Sequence, residues 1–266
     1  MAEFWLVASN TFEEALRRKI IYILVFVGLV LGAEGLYNLV YMGMAEQAGE
    51  TEMLASMRAS FLLSLFTMME VWGVILAVFL GSVALSSEIK NRTIVPVLSR
   101  PVGRFSFFCA KWAGTMGFLG VFVGLGVLAG IALTLHWSLS PTPLFALGIL
   151  EIFVTVAVLS ALSVAISSFF HPVLAGGGAL IVLYANALLG SFANHPNAVL
   201  SALGNAGRYL GPAQIPVSLL ESGLTKGLLN PDYGLYVSVL CENAGYALVA
   251  ILAGGLIFQS REIYIR

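Results

Sequence analysis

Between Phe107 and Leu135 the chain runs for 29 residues with a single charge, Lys111. A helix of that length, at 1.5 Å per residue, is long enough to cross the roughly 30 Å of hydrocarbon in a bilayer. Five further runs have the same character, at about 20–41, 60–86, 144–169, 173–192 and 233–258. Only 10% of the chain is charged, against about 25% in a soluble domain. So little charge cannot coat a water-facing surface, so most of the exterior must face lipid. No long polar segment interrupts the pattern. The expectation is an all-α, polytopic integral membrane protein, one domain over 1–266 with six transmembrane helices and membrane lipid around it.

The distribution of Lys and Arg orients the spans, because short cytoplasmic loops carry the basic excess. The densest basic cluster, Lys90, Arg92, Arg100, Arg104 and Lys111, joins the second and third runs. Placing it in the cytoplasm puts Arg17, Arg18, Lys19, Arg261 and Arg266 there too. Ten basic residues then lie inside, against Arg58, Arg208 and Lys226 outside. Both termini are expected in the cytoplasm of a prokaryote, the protein being multi-pass in the inner membrane. External segments are 45–58, 136–143 and the long 193–232, with a weakly amphipathic piece at 215–228. His171-Pro172 makes a tight inner turn. The first residues carry acids and aromatics before their basic cluster, the wrong order for a cleavable signal. Cys109 and Cys241 fall at different depths, too far apart for a disulfide.

Residues 3–18 read as an N-terminal amphipathic interfacial helix, with Trp5, Phe12 and Leu16 near one face and Thr11 and Glu14 at capping-box spacing. Gly120 and Gly124, Gly126 and Gly130, Gly176 to Gly178, and Gly254 with Gly255 mark places where helices can approach closely.

The basic segment is more patterned than a tether. Glu88 is followed by Ile-Lys-Asn-Arg-Thr-Ile-Val-Pro-Val-Leu-Ser-Arg-Pro-Val-Gly-Arg, ending at Arg104, with Lys111 beyond. This resembles the loop after the second membrane helix in ATP-binding-cassette (ABC) transporter permeases of the type-two export class. Glu88, Thr93, Leu98, Ser99, Arg100, Pro101, Arg104 and Lys111 match that pattern, while Arg92 and Gly103 stand where the family usually has Gly and Ser. The resemblance implies a cytoplasmic coupling helix within 87–106, passing the motion of a cytosolic ABC ATPase subunit to the membrane helices. Residues 93–98 can press into a groove, Arg100 and Arg104 can meet carboxylates, and Pro101 stops the helix. The chain has no phosphate-cradling G-x-x-x-x-G-K-[ST] run. The resemblance therefore places ATP and Mg in a partner subunit, with no cofactor, catalytic group or metal here and no nucleic-acid partner. Six spans are half the family's usual set, so a second permease copy or a sister permease is implied.

Four acids lie within or near the spans: Glu34, Glu70, Glu151 and Glu242. Each is costly in lipid. Glu70, Glu151 and Glu242 are candidates for an intramembrane pathway, and the structural alternative is hydrogen bonding to Asn186, Asn243, Ser or Tyr on neighbouring helices. Glu13-Glu14-x-x-x-Arg18 fits a string of intramembrane prenyl-protein proteases, but His136, His171 and His195 fall at helix ends or in loops. Methionines around the first external segment offer soft thioethers, and apolar packing explains them better. A self-contained secondary transporter would show internal repeats with broken helices, which are not seen; a membrane scaffold would assemble without ATP-dependent flux.

Overall fold

A backbone inside hydrocarbon has only protein to hydrogen-bond with, and this chain meets that constraint with helices. The computed structural model describes residues 2–17, 20–47, 51–90, 103–139, 143–207, 211–212 and 233–260. These hold α1 (Ala2–Arg17), α2 (Ile20–Gln47), α3 (Thr51–Ala84), α4 (Ser86–Lys90), α5 (Arg104–His136), α6 (Pro143–Ser167), α7 (Pro172–Gly190), α8 (Ala198–Gly207) and α9 (Tyr233–Ser260), with no strand among the described residues. Four helical stretches among them are long and apolar enough to cross a membrane: Met53–Lys90, Arg104–His136, Pro143–Ser167 and Tyr236–Ser260. They coincide with four of the expected runs. The other two runs, 20–41 and 173–192, are helical as α2 and α7.

Helix α6 is central, packed against α3, α5, α7 and α9. A helix surrounded by others is apolar all round, and α6 has a single ionisable side chain, Glu151. The main core interleaves α3, α5, α6 and α7, with Phe66 meeting Phe145 edge to face at 5.3 Å. Two glycines of α5 make room for it. A Cβ at Gly130 would stand 2.4 Å from the Phe66 ring, and one at Gly126 would overlap the Met69 side chain. Gly120 and Gly124, the similar pair six residues earlier, face open space. Helix α2 is peripheral: it packs on α3 and α1 and leaves Leu29, Leu36 and Leu39 exposed.

A second core cluster lies at one end of the bundle. It joins Val7 and Ala8 of α1, Leu85 beyond α3, Phe107 and Phe108 at the start of α5, Val164 of α6 and Phe258 of α9. The ends of α3, α6 and α9 and the start of α5 therefore share one side, as alternating spans require. At the other end α5 stops at Trp137, with Ser138 in the left-handed region at φ 53°. The Ser138 and Leu139 N–H groups donate back to Leu135 and Thr134. There Trp137 packs on Phe61 at 5.8 Å, with the Arg58 guanidinium 6.0 Å from its ring.

Two local expectations change. Segment 45–58, read as an external loop, is helical up to Gln47 and again from Thr51. Its Ala, Glu, Gln and Met residues are good helix formers, so the helices outrun the apolar stretch. Helix α8 lies inside the expected 193–232 loop, and 215–228 falls outside the described residues. Helix α1 buries Val7, Ala8, Thr11 and Ala15, and of the apolar face read from sequence only Phe12 turns inward, against Phe118. Trp5 and Leu16 are exposed. Thr11 is no cap: it sits in mid-helix and its hydroxyl donates to the Val7 carbonyl at 2.8 Å.

Candidate functional site

The basic segment is fixed at both ends. Residues 91–102 lie outside the described residues, and with them Arg92, Thr93, Leu98, Ser99, Arg100 and Pro101. Before them, α4 carries Glu88; the hydroxyls of Ser86 and Ser87 donate to carbonyls one turn back, Ser82 at 2.7 Å and Val83 at 2.6 Å. After them, Gly103 caps α5 in an extended conformation and Arg104 opens the helix. The Arg104 guanidinium reaches the Gln259 carbonyl of α9 at 3.5 Å.

Two turns along α5, Lys111 is buried at 4% exposure. Its ammonium forms an ion pair and hydrogen bond with the Glu88 carboxylate. Glu14 of α1 stands 3.8 Å away on another side, and the Phe107 ring lies 5.8 Å away. A buried ammonium is strongly destabilising unless carboxylates surround it, and here two do. The pair joins α4 to α5 across the two sides of the basic segment, and Glu14 ties α1 to the same point. Close packing holds α1 there, since a Cβ at Gly114 would lie 2.4 Å from the Ala8 carbonyl oxygen. Sequence reasoning matched Glu88 and Lys111 to one motif but missed Glu14. The signal was the pair of acids at 13–14 on a helix expected near the same boundary.

The intramembrane acids separate by environment. Glu151 is 5% exposed, and its Oε1 accepts from Asn243 Nδ2 of α9 at 2.8 Å and from Thr155 Oγ1 at 3.5 Å. Its Oε2 is buried with no hydrogen-bond partner among the described residues. Glu70 of α3 is half-buried. Glu242 is exposed while its neighbour Asn243 is 2% exposed, because successive helical residues point about 100° apart. Glu34 of α2 accepts a hydrogen bond from the Ser64 hydroxyl of α3. The structure thus holds Glu151 in hydrogen bonds to Asn243 and Thr155 and leaves Glu242 on an exposed face of α9.

Among the described residues no three His, Cys, Asp or Glu side chains gather as metal ligands. His136, His171 and His195 are exposed at a helix end, a helix cap and a loop. Cys109 and Cys241 are free thiols.

A family model described as ABC-2 family transporter protein matches residues 5–259. No curated protein matches the chain.

Proposed function

The chain belongs to the ABC-2 transporter family, and from that premise we propose that it is the permease subunit of an ABC exporter driven by a separate cytosolic ATPase. Family membership over nearly the whole chain carries this reading, and the Lys111–Glu88 pair gives it a mechanism. The six spans are α2, α3, α5, α6, α7 and α9. Helix α2 has 28 residues and α7 has 19, about 42 Å and 28 Å of rise. The Lys111 end and both termini face the cytoplasm of a prokaryotic inner membrane, which the ten-to-three basic bias supports. One domain of six spans works with a second permease copy or a sister permease.

In this reading residues 87–106 form the coupling element. ATP and Mg bind the partner, whose closure presses on the segment 93–98. The load leaves the segment at its two ends, which share the Lys111 pair. Helices α3, α5 and α1 therefore move as a unit. Arg104 passes part of the load to α9 through Gln259. Arg100 has the simpler role of meeting the partner's carboxylates. Glu70 and Glu151 line a polar path along the central helix, with Glu242 entering from an outer face of α9.

The test is copurification of the chain with its cassette ATPase. The wild-type pair is expected to stay together, and Arg100→Glu with Arg104→Glu to separate it. Retention of the ATPase by that variant would overturn the coupling assignment. Labelling of the 91–102 segment from outside an intact cell would overturn the orientation, and transport by a purified, partner-free chain would overturn the ATPase requirement.

A further inference from the structure

Two hollows on the flank of the bundle meet at Pro172. One is an apolar groove of about 410 Å³ between α3 and α7, walled by Val74, Val78, Phe79, Val173 and Leu180 and floored by Gly177. The other is a cleft of about 490 Å³ at the Lys111 end, between α4 and the α6–α7 turn. It is lined by Lys90, His171 and the hydroxyl residues Ser86, Ser87, Ser167 and Ser168 and, among the described residues, by no acid. The one acid of α4, Glu88, is engaged by Lys111 instead.

The hydroxyls have a defined polarity. Those of Ser86, Ser87, Ser167 and Ser168 donate to the carbonyls of Ser82, Val83, Val164 and Ala165 at 2.6–2.8 Å. Ser167 and Ser168 are buried at 1% and 0% exposure, which leaves the half-buried Ser86, and with its proton committed to its own helix that hydroxyl can only accept from a ligand. The cleft therefore offers a cation, an imidazole and the Ser86 acceptor. It suits a headgroup that carries negative charge and also brings its own O–H donors. The groove that continues from it suits an alkyl chain, since its walls are apolar and it opens sideways past Val173, which is 76% exposed.

We propose that the α3–α7 groove and the Lys90–His171 cleft together form a binding site for an anionic, hydroxyl-bearing phospholipid of the phosphatidylglycerol type, chain in the groove and headgroup in the cleft. The site lies in the leaflet that borders the Lys111 end. It does not depend on an ATPase partner. A lipid seated there bridges α3, α4 and the α6–α7 turn, so its occupancy bears on how firmly the start of the basic segment is held.

Native mass spectrometry of the purified full chain, released from vesicles of equal phosphatidylglycerol, phosphatidylethanolamine and phosphatidylcholine, tests this. The wild type is expected to retain phosphatidylglycerol about tenfold over phosphatidylcholine. Lys90→Gln with His171→Gln, both exposed positions, should cut that preference to under threefold. Gly177→Phe should remove the retained lipid, because a Cβ at Gly177 meets nothing within 4 Å and the ring fills the groove. Gly120→Phe, also in open space but on α5, should leave retention unchanged. Equal retention of the three lipids by the wild type would overturn the proposal. So would unchanged retention in folded Gly177→Phe, or equal loss in Gly120→Phe.

Discussion

Lys111 and Glu88, 23 positions apart, meet in a buried ion pair that joins α5 to α4. Breaking a buried pair from one side costs about 3–5 kcal/mol, because a charge is left without compensation. Lys111→Met is expected to lose about 3 kcal/mol, near the low end, since the Glu88 side chain keeps 18% exposure. The double variant Lys111→Met with Glu88→Gln should recover part of that loss. Unfolding in detergent micelles checks both, and strict additivity of the two single changes would contradict the pairing.

Gly114 and Gly117 lie on the same stretch of α5 with different neighbours. Ala at 114 would push its Cβ to within 2.4 Å of the Ala8 backbone oxygen. Overpacking of this kind costs about 1–3 kcal/mol, and here it should pry α1 loose. Ala at 117 would meet the Phe12 ring at an ordinary 3.6 Å. That change should be neutral or stabilise by up to about 1 kcal/mol, the helix penalty of glycine. Protease sensitivity of α1, higher in Gly114→Ala alone, is the measurement.

The Asn243–Glu151 hydrogen bond joins the two helices that pack against each other at the bundle centre. Asn243→Ala should destabilise by about 1–3 kcal/mol, the cost of leaving a buried polar group without its partner. Glu151→Gln keeps an acceptor for Asn243 and should leave unfolding nearly unchanged. A large loss of stability in Glu151→Gln would show that the charge, and not the hydrogen bond, holds α6 and α9 together.

If the intramembrane acids serve transport, Glu70→Gln and Glu151→Gln should each slow ATP-driven transport in inverted vesicles by tenfold or more. Glu242→Gln, on an exposed face, should do less. Unchanged rates in all three variants would remove the acids from the pathway.

The long helices were legible because a lipid-facing chain must be apolar for the length of a bilayer, and little else produces a run such as 107–135. Their ends were less so. Hydropathy marks where hydrocarbon stops, and the helices through Glu46 and Glu52 continue past it on helix propensity. The inward face of α1 was misread because apolar weight favours Trp5 and Leu16, whereas close approach to Gly114 selects Ala8 and Thr11. Gly120 with Gly124 and Gly126 with Gly130 are the same motif in sequence; only the placement of Phe66 and Met69 separates them. At the site, Glu88 and Lys111 were readable as parts of one motif. The partner Glu14 lies 97 positions from Lys111, a separation that no local pattern encodes, whereas Asn243, 92 positions from Glu151, was among the polar partners that the sequence offered to the intramembrane acids.

Burial of Lys111 has an electrolyte consequence. Mobile ions shorten electrostatic reach from roughly 10 Å at 0.1 M to 3 Å at 1 M in water, but they barely enter a site that is 4% exposed. If the proposed coupling holds, brine should therefore strip an arginine-docked motor from this subunit while the Lys111 fastening stays shut.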